Sequence, residues 1–453
     1  MDRDDFAGAD LRNEGVYDSL RFSQWRSGRA RTDGMSRRAL LRAFGGAGLG
    51  LAAAGPLDGG RTRARVAPRA AAGMTPRTAA AVTAAPGPII KPLPPEWFYV
   101  YESSSLGANA EMRWEVMKGK GYLVPIENFY IRDHTSTPLI DVGSWRLKVF
   151  GSGLRGAPTV DNAVQFTYED LLRMPAATVT SFIECAGNAR EFFATQQGEP
   201  VTSVPWLLGG IGVAEWRGVR LADILDRAGL TPDAVDVMPQ GLDPEYVTSG
   251  VNYGHVRRPV PVAKALEDVI LAYEMNGQPL PPDNGFPLRF VCPSWIGVAN
   301  VKWVGQIEVS AAPLFSYWNT LAYRLFGPGY PSDGTLITRQ VVKSSFEMQW
   351  NAQLPSGRPA LLTGRSWSGN GRIASTEVST DGGQNWRLAR PRDRGLPHAW
   401  QLWEIPWQPP GPGSYTLRSR ATDVTGVTQP DTVPFNTREY LFDAVVDHPV
   451  TVT

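Results

Sequence analysis

The chain has 453 residues, 42% of them hydrophobic, and a formal net charge of +1 at neutral pH. That length allows two or three domains with their own cores, and the balanced charge excludes a whole-chain field that would gather nucleic acid or an acidic membrane. With two cysteines, Cys185 and Cys292, a disulfide scaffold is excluded, and no C-x-x-C or local pair among the four histidines makes a zinc site.

Residues 36–42 read Ser-Arg-Arg-Ala-Leu-Leu-Arg, and a short apolar run rich in Gly and Ala follows as far as Ala54. A basic stretch, a brief apolar stretch and small residues beyond it make a secretory leader. The pair Arg37-Arg38 points to the twin-arginine route, so the protein is expected to be exported to the cell envelope or beyond. The apolar run falls short of the roughly 20 residues of a spanning helix, and no transmembrane helix is expected in the mature form. Much chain precedes the arginine pair, which makes Met35 an alternative start to Met1. Residues 56–88 are Ala, Pro, Arg, Thr and Gly without periodicity, a linker composition. Residues 1–88 are therefore read as an extension outside the fold.

From 89 to 330 the pattern is a mixed α+β one. WRLKVF at 145–150 alternates as a half-buried strand does. Residues 167–174 predict a short helix, with Thr167 as its cap and Pro175 as its stop. Residues 179–184 predict a strand running into Cys185-Ala186-Gly187-Asn188, and 221–228 a helix that Gly229 ends. Short elements follow at 263–266, 269–273 and 288–292, and 301–309 alternates again. No G-x-G-x-x-G or Walker loop is present. The character changes between Pro328 and Leu336. From 335 to 453, strand-like runs at 360–366, 372–379, 386–390, 400–406 and 414–422, with Asp381-Gly382-Gly383 as a hairpin turn, predict an all-β immunoglobulin-like sandwich.

Cys185 stands where a strand ends, with Ala186 and Gly187 leaving room beside the thiol. The local sequence leaves four readings open: a buried inert thiol, a disulfide with Cys292, a nucleophile, and a soft ligand to a transition metal.

FIECAGNAR (182–190) resembles the molybdenum-cysteine motif of the sulfite oxidase family. NFYIRDH (128–134), GGIGVAEWRGVRLADIL (209–225), LAYEMNGQPLPPDNGFPLRFVCP (271–293), NVKWVGQIEV (300–309) and SYWNTLAYRLFGP (316–328) resemble further blocks of that family, in order. GRSWSGNGRIASTEVSTDGGQNW (364–386) and TQPDTVPFNTRE (428–439) resemble its dimerisation domain. The resemblance implies a molybdenum held by one pterin dithiolene and by the thiolate of Cys185, which removes that thiol from any pairing with Cys292. It implies an oxyanion pocket made by Arg132, Arg190 and Arg438, with Tyr323 reaching the metal and substrate and Trp206 as a wall. It implies pterin contacts from Tyr130, Ile131, Arg132, Asp133, His134, Asp243, Asn284, Asn300 and Val301, with Arg289 and Lys302 neutralising the pterin phosphate. Asn284 and Asn300 depart from the animal enzymes, which carry His there.

The implied activity is oxidation of sulfite, or a related small sulfur anion, to sulfate. Alternatives are the same cofactor acting on sulfane sulfur, nitrate or a sulfoxide, or a cofactor-less envelope binding protein. No C-x-x-C-H is present, so no haem is expected and electrons would pass to an external acceptor such as a c-type cytochrome. A homodimer is implied, with no nucleic-acid partner.

Overall fold

The computed structural model of the protein describes residues 89–101 and 107–453; the leader and linker expected within residues 1–88 lie outside the described residues. Two five-stranded sheets carry the first half. One is ordered Val260–Pro261, Asp236–Gly241, Val304–Ser310, Leu147–Phe150, Val164–Phe166, and only Val304–Ser310 and Leu147–Phe150 run parallel. The other places Ile211–Arg220 between Ala176–Glu184 and Ile270–Met275, with Gln278–Pro279 and Arg289–Val291 on the outer side of Ile270–Met275. A third, three-stranded sheet joins Phe98–Tyr101, Ala108–Met112 and Ile131–Asp133.

Local chemistry explains these elements. In Leu147–Phe150 the alternate residues Leu147 and Val149 are buried, as period-two patterning requires. Helix Tyr168–Arg173 starts with a reciprocal cap: Asp170 N donates to Thr167 Oγ1 at 3.0 Å, and Thr167 N donates to the Asp170 carboxylate at 2.9 Å. Helix Leu221–Ala228 buries Leu221, Ile224, Leu225 and Ala228, one face of a helix. It ends at Gly229, whose φ of +86° suits a residue without Cβ. Helix Glu191–Thr195 was not expected; it is only five residues long and its N-cap residue, Arg190, makes no side-chain cap.

The balance is more β than the sequence pattern suggests. The four α-helices among the described residues are six, five, eight and six residues long, and strands supply most of the regular structure. The alternation read over 301–309 becomes a strand only from Val304, because Trp303 turns the chain at φ +54°. None of the described helices is long and apolar enough to cross a membrane.

The C-terminal region packs two sheets. One is ordered Lys343–Phe346, Ala360–Trp367, Gln401–Trp407, Arg390–Pro391; the other Ala352–Leu354, His448–Val452, Gly413–Asp423, Ile373–Ser379, Arg387–Leu388. Phe346, Leu362, Val378, Trp403, Leu417 and Val450 fill the space between them. The single strand expected at 386–390 divides: Arg387–Leu388 pairs with one sheet and Arg390–Pro391 with the other. Lys343–Phe346 escaped the sequence pattern because it is polar. Ser344, Ser366, Thr376 and Ser419 are buried and link the sheets by hydroxyl contacts of 2.8–3.0 Å, which satisfies groups that would otherwise be costly to bury.

Glu184 joins the two halves at the end of its strand. Its Oε1 accepts from Lys343 Nζ at 2.8 Å and from Asn188 Nδ2 at 2.9 Å, and its Oε2 accepts from Trp367 Nε1 at 2.9 Å. Its backbone carbonyl accepts from Gln340 Nε2 at 2.7 Å. The side chains of Glu184 and Lys343 are 0% and 3% exposed. Removing one partner would strand the other charge in the interior. Glu184→Gln or Lys343→Met alone should therefore lower the unfolding free energy by about 3–5 kcal/mol, and the double variant by clearly less than the two effects added. A double-mutant cycle in urea measures this, and simple additivity would show that the two charges are not coupled.

Candidate active site

The strand Ala176–Glu184 delivers Cys185 to the floor of a cleft. The turn after it is tightly held. Asn188 N donates to Cys185 O at 3.0 Å, Gly210 N donates to Asn188 Oδ1 at 2.9 Å, and Cys185 N donates to Gly210 O at 2.8 Å. A Cβ on Gly187 would lie 2.1 Å from the Arg190 guanidinium, which would have to move to admit a side chain. Cys185 and Cys292 are both buried and no disulfide joins them, so of the readings left open by sequence the disulfide is not present.

The cleft encloses about 710 Å³, part of it open to solvent. Its walls come from distant segments: residues 129–134, 185–186, 283–284, 297–298 and 300–303, with Asp243, Val256, Arg289 and Tyr323. Of the residues expected at the site, Cys185, Tyr130, Ile131, Arg132, Asp133, His134, Asp243, Asn284, Arg289, Asn300, Val301, Lys302 and Tyr323 all line it. Arg190 and Arg438 lie outside that lining, beside Tyr440: Arg190 sits 5.5 Å from the Tyr440 ring centroid, and Arg438 acts on the same phenol electrostatically. Trp206 is not among the residues that line the cleft. Its buried ring stands behind Tyr130, edge-on at 6.1 Å, and supports that residue from the core.

Asn300 lines the cleft with its amide engaged by backbone groups. Its Oδ1 accepts from Cys292 N at 2.8 Å, and its Nδ2 points to the carbonyls of Trp295 and Ile296 at 3.5 and 3.3 Å. Both ends of the amide hold the 292–296 turn, so the side chain shapes the wall. Lys302 is likewise engaged, with its ammonium paired to Asp133 and donating to Asp283 O at 2.9 Å. Arg289 is less fully used. Its Nη1 donates to Asn284 O at 2.9 Å, while its buried Nε has no partner, and burial pushes its pKa down to about 10. A buried guanidinium in that condition favours a bound anion. Asp243 Oδ1 and Asn284 Oδ1 are also buried without partners. Burial raises the Asp243 carboxyl to about 6, against a hydrogen bond of 2.7 Å from Thr135 Oγ1 that favours its charged form.

Tyr323 follows the short π-helix Trp318–Ala322, and its hydroxyl lies 3.1 Å from His134 Nε2. Burial lifts the Tyr323 phenol well above its ordinary value, so at neutral pH it is a hydroxyl and not a phenolate. Burial, and then the nearby Arg132 and Lys302, hold His134 well below the usual imidazole range.

Asp283 was missed by sequence reading. Its carboxylate accepts from Ile90 N at 3.0 Å, Lys91 N at 2.7 Å and Thr137 Oγ1 at 2.7 Å, which pins the first described residues to the cleft wall. Tyr440 was also missed; it stacks on Tyr323 with centroids 5.2 Å apart and planes 5° from parallel. Neither has a local sequence signal, since both depend on contacts far along the chain.

Two family models match the chain: an oxidoreductase molybdopterin binding domain over residues 134–318 and a Mo-co oxidoreductase dimerisation domain over residues 347–445. The mitochondrial sulfite oxidase of Mus musculus is 32% identical over 342 residues, which covers 72% of this chain and 60% of that protein. The sulfite oxidase of Gallus gallus is 32% identical, with 72% of each chain covered. The chain thus spans about 60% of the length of its mammalian relatives. The crystal structure of the sulfane dehydrogenase SoxCD from Paracoccus pantotrophus matches with a TM-score of 0.67 at 27% identity, covering 78% of this chain and 87% of that one.

The depressed His134 has a consequence for stability. As pH falls below about 6.5 the unfolded chain takes up a proton at this residue and the folded chain does not, so acidification favours unfolding. In His134→Gln, the loss of unfolding free energy between pH 7.5 and 5.5 should shrink by up to about 1.4 kcal/mol. His448, buried and lowered to about 4, contributes equally to both proteins and cancels. Urea titrations at the two pH values measure the difference; equal losses in variant and parent would place the His134 proton elsewhere.

Proposed function

The chain belongs to the sulfite oxidase family of molybdopterin oxidoreductases, and on that premise we propose that it oxidises sulfite, or a closely related small sulfur anion, using a molybdenum-pterin cofactor. One observation carries the reading: a buried thiol, Cys185, faces a cleft that also holds Arg132 and Tyr323, with Arg190 and Arg438 beyond its edge.

The residues present fit such a cofactor. A pterin offers amide-like donors and acceptors, and the cleft presents the unpartnered acceptors Asp243 Oδ1 and Asn284 Oδ1 and the unpartnered donor Arg289 Nε. Arg289, under-compensated by its surroundings, suits the pterin phosphate. Lys302 contributes less than its charge suggests, because Asp133 already neutralises it. Tyr130, Ile131, Asp133, His134 and Val301 line the same walls, while Asn300 serves through the turn it holds. Cys185 supplies the thiolate ligand. When bound, the cofactor supplies oxo transfer and takes up two electrons.

The chain's own residues bind and orient the substrate. Sulfite is a mixture of monoanion and dianion at neutral pH, and burying it requires fixed cations in place of its water shell. Arginine answers this with a permanent charge and a planar fork, and Arg132, Arg190 and Arg438 are the guanidiniums in reach. Tyr323, fixed by His134, steers the anion as a neutral hydroxyl. The residues after Gly334 carry the family's dimerisation region, whose two sheets support an immunoglobulin-like assignment and a homodimer. Arg37-Arg38 supports export by the twin-arginine route, and the electrons then pass to an external acceptor such as a c-type cytochrome. The likeness to a sulfane dehydrogenase favours one alternative, the same cofactor acting on sulfane sulfur.

Cys185→Ser should abolish sulfite oxidation, and the parent protein should contain about one molybdenum per chain by elemental analysis. Assays with sulfite, thiosulfate, nitrate and a sulfoxide should rank sulfite first. Parent protein without molybdenum when purified from its own host, or a serine variant that still turns over sulfite, would overturn the reading.

A further inference from the structure

The loop after residue 435 packs against Tyr323 and Ala186 of the cleft wall, and its backbone is constrained on both sides of Tyr440. Glu439 and Leu441 hold φ of +56° and +55°, the left-handed region that side chains with a Cβ disfavour. Surrounding contacts hold these conformations in place. Asn436 grips both backbone groups of Tyr440, accepting from its N–H at 3.0 Å and donating to its carbonyl at 2.8 Å. The Glu439 carboxylate accepts from Thr202 N at 2.7 Å and Ser203 N at 3.1 Å. Leu441 N donates to Ala186 O, one residue from Cys185, at 2.8 Å. Strain so over-determined is a reason to ask what the strained segment presents.

It presents Tyr440. The ring lies flat against Tyr323, and the Arg190 guanidinium covers it at 5.5 Å. The residue is half-buried, yet its hydroxyl makes no hydrogen bond to any described residue. Cys185, Arg132, Arg190 and Arg438 are all close enough to act on the phenol electrostatically, and burial holds its pKa above the ordinary tyrosine value. At neutral pH it is thus a neutral donor with an unused O–H, with the Arg190 guanidinium over its ring and Arg132 and Arg438 near enough to act on it.

We infer that Tyr440 is a substrate-binding residue, donating its hydroxyl to the oxyanion held among Arg132, Arg190 and Arg438. The inference rests on the proposed function, since that reading puts the anion there. It gives the pocket a directional donor beside three charges, and so a preference for anions whose oxygens point toward the Tyr440 edge.

Sulfate serves as the probe, with the molybdenum-loaded enzyme. Tyr440→Phe keeps the ring and removes only the hydroxyl. It should weaken sulfate binding in calorimetry by about tenfold, the loss expected for one hydrogen bond to a charged group, and raise the sulfite KM by a similar factor with kcat nearly unchanged. Tyr440→Leu, which also removes the stack on Tyr323, should in addition lower kcat. If Tyr440→Phe binds sulfate as the parent does, the hydroxyl makes no such contact and the inference fails, whether or not Tyr440→Leu is impaired. If the loaded parent neither binds sulfate nor oxidises sulfite, the proposed function fails and takes this inference with it.

Discussion

The buried ion pair between Glu184 and Lys343 is the contact on which the site's geometry depends. Glu184 is the residue before Cys185, and its carboxylate ties together a lysine and a tryptophan of the C-terminal sheets and an asparagine of the cysteine turn. Charges so deeply buried are expensive unless both are fully hydrogen-bonded. Here Lys343 also donates to Asn188 O at 3.0 Å, and no polar atom of the Glu184 side chain is left unpaired. A shift of the sandwich against the first half would break several of these bonds together. The thiol's position is therefore set by packing between the two halves and not by its own strand alone.

Much of this was legible from the residues. Strands with one dry face declared themselves by alternation, and the helices at 168–173 and 221–228 by cap and stop residues whose chemistry is local. The ordered motifs identified nearly all of the cleft wall. What sequence could not give was the use made of each residue. Asn300 matches a cofactor-binding position, yet both ends of its amide hold a backbone turn. Trp206 matches a wall and supports one from behind. Lys343–Phe346 has no apolar alternation, because its burial is satisfied by hydroxyls. Asp283 and Tyr440 work through partners more than a hundred residues away, a separation that no local pattern encodes.

The cleft's charges divide into two kinds. Lys302 and Asp133 neutralise each other and form part of the wall. Arg289 has a buried nitrogen without a partner, and Arg190 reaches its nearest carboxylate, that of Glu439, only at 3.9 Å. The second kind remains available to an anion. This separation leaves local positive charge unneutralised in a chain with almost no net charge.

The hydrogen bond from Leu441 to Ala186 has a consequence for the order of events in the cell. A ribosome makes residue 186 long before residue 441. Until residue 441 is synthesised, the cysteine turn lacks the bond from Leu441 N to Ala186 O, and Glu184 waits for Lys343 and Trp367. The turn that carries Cys185 is thus finished only after residue 441 has been made. Any prosthetic group that depends on the finished geometry is received only after residue 441 has been made, and a product cut after residue 441 would lose the strand His448–Val452, which joins Ala352–Leu354 to Gly413–Asp423.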